Sequence, residues 1–182
     1  MARRVGEVLV SRETIARMVE TVGARISRDY QGREVLLVCV LKGACVFLSD
    51  LMRHLDVPVK IDFMSVSSYG AGTETTGTVR ILRDLDTDIA GKHVIVVEDI
   101  VDTGLTLRYL KEMLSTRHPA SIAVCAAFDK PARRKVAVEV EYVGMEIPDA
   151  FIVGYGLDLD GRYRNLPDVR VMTDDDGQGG TP

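Results

Sequence analysis

The stretch from His93 to Leu107, HVIVVEDIVDTGLTL, decides how this chain folds. It opens with a branched apolar run, His93-Val-Ile-Val-Val97, and passes straight into carboxylates at Glu98, Asp99 and Asp102. A short, continuously apolar run rich in β-branched residues is the pattern of a strand covered on both faces. The segment Asp102-Thr-Gly-Leu-Thr106 follows, and a helix is expected after it, from about Leu105 to Leu114. Strand, polar loop and helix in immediate succession are the elements of a parallel α/β sheet.

The neighbouring segments repeat that alternation. Ser11 can cap a first helix whose apolar positions Ile15, Met18, Val19, Val22 and Ile26 recur at three- and four-residue steps. Val35 to Leu41 reads as a second strand buried on both faces, and Phe47, Leu48, Leu51, Met52 and Leu55 return to helical spacing. Val59, Ile61 and Phe63 alternate with polar residues, while Val79 to Leu82, Ile122 to Phe128 and Phe151 to Val153 read as further strands. Between two of these lies SSYGAGTETTG, Ser67 to Gly77, too polar to pack and too long for a tight hairpin, and expected to be a mobile loop. No apolar residue follows Met172, so residues 1–172 are expected to form one domain and 173–182 a disordered tail.

Composition narrows the class. The chain has 182 residues, 46% hydrophobic and 27% charged, with a formal net charge of -4. One domain with a real core is expected, and the absence of a basic excess argues against a nucleic-acid partner. The run Val5 to Val10 is too short and interrupted for a signal segment, and no apolar run approaches the ~20 residues of a membrane span, so no membrane partner is expected. Cys39, Cys45 and Cys125 show no CxxC spacing and read as reduced core residues, which points to the cytoplasm. His54, His93 and His118 show no ligand spacing.

In an open parallel sheet, ligands bind beyond the carboxyl ends of the strands, at loops entering helix N-termini, and Glu98 to Thr106 is expected there. The run from Asp102 supplies backbone N–H groups, a glycine permitting close approach, and two hydroxyls at the positive end of a helix. Those are the parts of a phosphate cradle. The segment matches neither GxxxxGK[ST] nor GxGxxG, so it indicates neither a nucleoside triphosphatase nor a dinucleotide-dependent dehydrogenase. Adjacent carboxylates at Glu98 and Asp99 suit a hydroxylated group carrying Mg2+ beside that phosphate. A ribose 5-phosphate meets each requirement; an acidic loop that merely caps a helix is the plainer alternative.

The whole of VVEDIVDTGLTL resembles the 5-phosphoribosyl-1-pyrophosphate motif of the type I phosphoribosyltransferases. LKG at Leu41 to Gly43, SSYG at Ser67 to Gly70, FDKPARR from Phe128 and EIPDAFIVGYGLDLDGRYRNL from Glu146 resemble, in order and spacing, the hypoxanthine-guanine phosphoribosyltransferases of that family. The likeness spans nearly the whole chain except the tail. It implies an α/β fold with a mainly parallel central sheet flanked by helices, a small hood and a flexible active-site loop. It implies Mg2+-dependent transfer of a 5-phosphoribosyl group from 5-phosphoribosyl-1-pyrophosphate to N9 of hypoxanthine or guanine, giving IMP or GMP and pyrophosphate. It also implies a homodimer or homotetramer.

By the same resemblance Asp102 is the catalytic base near purine N7, and Thr103, Gly104, Leu105 and Thr106 hold the 5-phosphate. Glu98 and Asp99 face the ribose hydroxyls and, with Asp158, Mg2+. Lys42, Gly43 and Arg164 bind pyrophosphate, the Lys42 loop often through a strained or cis peptide. Ser68 and Tyr69 belong to the loop that closes over the site. Lys130 donates to the exocyclic oxygen at C6, which favours an oxo group over the amino group of adenine. Phe151 stacks on the purine, and Ile152 and Asp158 border it. Leu105 departs from the pattern, since some members carry Lys there. Read without the family, Lys42 and Arg164 are solvated surface cations, Phe151 is a strand core residue and Asp158 a turn former. Two rivals stay open: a regulator on the same fold that senses the ribosyl donor, and a sister enzyme preferring xanthine.

Overall fold

A computed structural model describes residues 3–68 and 79–174, Ser68 by its backbone alone. Tyr69, most of the polar loop expected from Ser67 to Gly77, and the tail from 175 onward lie outside the described residues.

The stretch that opened the reading is strand β5, His93–Val101, at the centre of the larger sheet. Six strands lie in the order β4-β3-β2-β5-β6-β7, where β2 is Val35–Leu41, β3 Val59–Ser68, β4 Val79–Arg83, β6 Ser121–Asp129 and β7 Tyr142–Glu146. All neighbours are parallel except β3 and β4. The branched runs in β2, β5 and β6 belong there because both faces are covered. Alternate residues serve alternate layers. Leu37, Cys39, Ile95, Val97, Cys125 and Ala127 join the core beneath helix α1, Arg12–Asp29, and helix α2, Ala44–Leu51. Leu36, Val38, Val94, Val96, Val124 and Ala126 pack on the other side against Leu107, Leu110 and Leu114 of helix α3, Leu105–Ser115. Ser11 caps α1 as its type predicts, accepting a hydrogen bond from the N–H of Thr14 at 3.2 Å.

A separate three-stranded antiparallel sheet has the order β1-β9-β8, with β1 Arg3–Val10, β8 Ile152–Val153 and β9 Val169–Asp174. This is the small hood. Three differences from the sequence reading follow. First, β9 runs to Asp174, paired with Arg3, so Thr173 and Asp174 are not tail, and the boundary expected at 172 moves. Second, β5 continues four residues past Val97, which places Glu98 and Asp99 inside the strand rather than in the loop after it. Third, β1, β7 and β9 were not foreseen.

Candidate active site

The end of β5 organises the site. Strand alternation sends Glu98 and Asp99 to opposite faces, and they line two different cavities. A small one of about 110 Å³ is bounded by Glu98, Asp102, Thr103, Gly104 and Thr106. A larger one of about 630 Å³ is bounded by Asp99, Asp102, Lys130, Phe151, Ile152 and Asp158, among others. Ile100 and Asp102 line both.

The small cavity is bounded by the loop that the sequence reading takes as a phosphate cradle. Gly104 stands at the N-cap of α3 with φ +81°, a left-handed conformation that side chains rarely adopt. The Leu105 N–H donates to Oγ1 of Thr103 at 3.4 Å, and the Arg108 N–H to the Gly104 carbonyl at 2.9 Å. The loop is therefore wound tightly at the positive end of a helix dipole, which suits an anion. Leu105 contributes its backbone here and no charge.

On the strand itself, Glu98 is buried and its carboxyl is pushed well above the usual range, by burial first and then by the charge of Asp99. Asp99 is raised to about 6, again by burial, although its own Oδ1 accepts the Ile100 N–H at 2.8 Å and Arg164 opposes the shift. Each acid, held at high proton affinity on its own cavity, is a place where a cation or hydroxyl donors would be accepted readily.

The Lys42 loop meets these acids from β2. The Leu41–Lys42 peptide is cis, as the resemblance implied. Lys42 is exposed, and Gly43 is the N-cap of α2. A loop after β8 arrives from the other side. Arg164 donates to the Gly156 carbonyl at 2.6 Å and pairs with Asp158 at 2.6 Å. Asp158 also accepts the Gly161 N–H at 2.7 Å, so it is a turn former and a cavity acid at once.

In the larger cavity Lys130 is buried, its ammonium donating to the Ala150 carbonyl at 2.6 Å, and burial lowers its proton affinity. Phe151 is half-buried, and the guanidinium of Arg3 lies over its ring, 4.8 Å from the centroid. Ile152 is buried in β8 beside it. Asp102 accepts from Nε of Arg133 at 2.9 Å, and Arg133 also faces Asp149 at 3.6 Å.

Of the expected residues, Glu98, Asp99, Asp102, Thr103, Gly104, Thr106, Lys130, Phe151, Ile152 and Asp158 line the two cavities, Gly43 abuts Asp99, Arg164 pairs with Asp158, Leu105 follows Gly104 at the start of α3, and Lys42 lines neither cavity. Ser68 ends β3 opposite Val79, and Tyr69 lies outside the described residues. Sequence reasoning missed Arg3, Arg133 and Asp149, all on the wall of the larger cavity. Arg133 had a signal: it stands three residues after Lys130 in the quoted FDKPARR motif. Arg3 had none, because it reaches Phe151 only through the pairing of β1 with β9.

Comparison with known proteins agrees with this geometry. Residues 8–160 match the model of the phosphoribosyl transferase domain. The chain is 46% identical over 175 residues to a hypoxanthine-guanine phosphoribosyltransferase of Streptococcus thermophilus, covering 96% of this chain and 97% of that one. It is 45% identical to the Bacillus subtilis enzyme of the same name, covering 94% and 96% respectively. The crystal structure of a Bacillus anthracis hypoxanthine-guanine phosphoribosyltransferase superposes with a TM-score of 0.89 at 46% identity, covering 95% of this chain and all of the other.

Proposed function

Because this chain belongs to the phosphoribosyl transferase family, and within it to the hypoxanthine-guanine phosphoribosyltransferases, we propose that it joins the 5-phosphoribosyl group of 5-phosphoribosyl-1-pyrophosphate to N9 of hypoxanthine or guanine. The products are IMP or GMP and pyrophosphate, and the enzyme is a glycosyltransferase of purine salvage. The observation that carries the assignment of roles is the position of Asp102 on the wall shared by a phosphate-sized and a base-sized cavity. A phosphate in one and a purine in the other would place the bond between ribose and base at that wall.

In this reading the Thr103 to Thr106 loop takes the 5-phosphate through N–H groups and hydroxyls. Lys42, Gly43 and Arg164 face the pyrophosphate, Arg164 by a fork that suits phosphate oxygens. Lys130 donates to the C6 oxygen of the base, Phe151 covers the ring, and Ile152 borders its other edge. Asp102 takes a proton at N7 as N9 attacks C1′, where an oxocarbenium-like state develops. Ser68 and Tyr69 belong to the loop that would exclude water, whose attack would hydrolyse the donor.

Among the described residues no group of three or more His, Cys, Asp or Glu forms a metal cage. Mg2+ needs none, because it is held through one or two carboxylates, waters and substrate phosphates. The buried acids of β5 fit it: burial has raised the proton affinity of Glu98 and Asp99, and a divalent cation would relieve that charge. Asp99 and Asp158, which line the same cavity, are the residues that would hold it, while Glu98, expected as a third, lines the small cavity on the other face of β5; when bound it would neutralise charge on the departing pyrophosphate.

The setting follows from the same reading. No helix of the described residues is long and apolar enough to cross a membrane. The three cysteines are free thiols, Cys39 and Cys125 buried and Cys45 exposed rather than in the core, and free thiols are in keeping with a cytoplasmic enzyme. Its partners are its small-molecule substrates, and the assembly a homodimer or homotetramer.

The test is ultraviolet detection of nucleotide after mixing purified protein with 5-phosphoribosyl-1-pyrophosphate, Mg2+ and each of hypoxanthine, guanine, xanthine and adenine. Conversion of the first two, with adenine inert and activity lost in chelator, is the expected result. Donor binding without conversion of any base would contradict it and favour a regulator. Conversion of xanthine alone would move the chain to the sister specificity.

A further inference from the structure

The segment after Lys130 does more than carry that lysine. Three consecutive residues reach back to the start of the cradle. Arg133 donates through Nε to the Asp102 carboxylate at 2.9 Å, Arg134 donates to the Asp102 carbonyl at 3.0 Å, and the Lys135 N–H donates to the Thr103 carbonyl at 3.0 Å. Arg134 is itself tied to Asp129 at the end of β6. Arg133 extends its other edge toward Asp149, 3.6 Å away. All of Asp102, Arg133 and Asp149 line the larger cavity.

We propose that Arg133, anchored by Asp149, is a positioning residue that fixes the Asp102 carboxylate on the wall between the two cavities. The inference rests on the role given above to Asp102. A carboxylate at the end of a strand has free χ torsions, whereas proton transfer to a bound base needs one orientation. The bond from Arg133 engages Oδ1 and leaves Oδ2 to meet a base in the cavity. A guanidinium suits the task because its planar fork holds two carboxylates in fixed directions, which a lysine ammonium does not. A purely stabilising surface pair explains less. The three side chains are about a third exposed, at 34%, 42% and 34%, and pairs of that kind add little to stability.

The experiment compares kcat, KM for donor and base, and Tm among wild type, Arg133→Gln, Arg133→Lys, Asp149→Asn, Asp102→Asn and the double variant Asp102→Asn/Arg133→Gln. Arg133→Gln should lower kcat about tenfold to a hundredfold with donor KM and Tm near wild type. Arg133→Lys should not restore it, and Asp149→Asn should move kcat the same way by less. The decisive comparison is the double variant: if Arg133 acts through Asp102, its replacement should cost nothing further once Asp102 is Asn. A wild-type kcat in Arg133→Gln, or a full multiplicative loss in the double variant, overturns the proposal. A wild-type protein that converts no purine at all overturns the functional reading beneath it.

Discussion

Gly43 and Asp99 are in direct contact: a β-carbon built on Gly43 would lie 1.6 Å from Oδ2 of Asp99 and 3.1 Å from the Gly156 carbonyl. The loop assigned to pyrophosphate is thus seated on the acid assigned to ribose and Mg2+, and only glycine permits that approach. Nothing larger than hydrogen fits unless Asp99 turns away.

Gly43→Ala should therefore fold and fail selectively. Overpacking of this kind costs about 1–3 kcal/mol, and each kcal/mol lowers Tm by about 2–4 °C in a chain of this size. Because Asp99 must rotate, the donor KM should rise while the KM for the base stays near wild type. Steady-state kinetics and a thermal melt check both, and an unchanged donor KM would contradict the contact as drawn.

Much of this was legible in the sequence, and the exceptions have physical causes. The strands β2, β5 and β6 announced themselves because both faces are buried, and the cradle because its residue types leave few other uses. The hood did not. In β1 only Val10 is buried and the pairing with β9 shifts register twice, so no period of two survives to be read. The apolar run stops at Val97, so Glu98 and Asp99 read as the loop after the strand, yet the strand runs through them to Val101. Arg133 stands within FDKPARR, but nothing local marks what it touches. Its partners Asp102 and Asp149 are distant in sequence, and only the fold brings them together.

Lys130 should control the choice between oxo and amino purines. Its ammonium is buried, and a hydrogen bond from a charged group contributes about 1.5–3 kcal/mol, about tenfold to 150-fold in kcat/KM. Lys130→Gln should lose that much with hypoxanthine while the donor KM stays unchanged. Competition between hypoxanthine and adenine measures it; equal losses for donor and base would point to unfolding instead.

Arg3 should act on the base alone. A guanidinium over an aromatic ring contributes about 0.5–1 kcal/mol where partly exposed, so Arg3→Ala should raise the KM for hypoxanthine about twofold to fivefold and spare kcat. A change in the donor KM of the same size would count against its place at the purine wall.

The acids of β5 make a prediction about pH. A carboxyl whose folded pKa is raised binds its proton more tightly in the folded state. Its contribution to stability is complete below its unfolded pKa and is lost as pH rises through the folded one. For Asp99 that window runs from the ordinary 3.8 to about 6, and Glu98 shifts the same way. Asp84, held low by hydrogen bonds from Arg117, works oppositely, losing its contribution as pH falls. Without ligand, the Tm of wild type relative to Asp99→Asn should fall as pH rises from 4 through about 6, the histidines cancelling because both proteins carry them. Parallel melting curves across that range would show that Asp99 is not held as described.

Whether Asp102 serves the base from the wall between the two cavities is decided by replacing one of its oxygens. The measurement is the rate of nucleotide formation from hypoxanthine by Asp102→Asn, with donor affinity determined on the same protein. Donor binding close to wild type is expected, with a rate lower by about 100-fold to 10,000-fold, the range typical of lost general acid–base help. Wild-type turnover in that variant would contradict it.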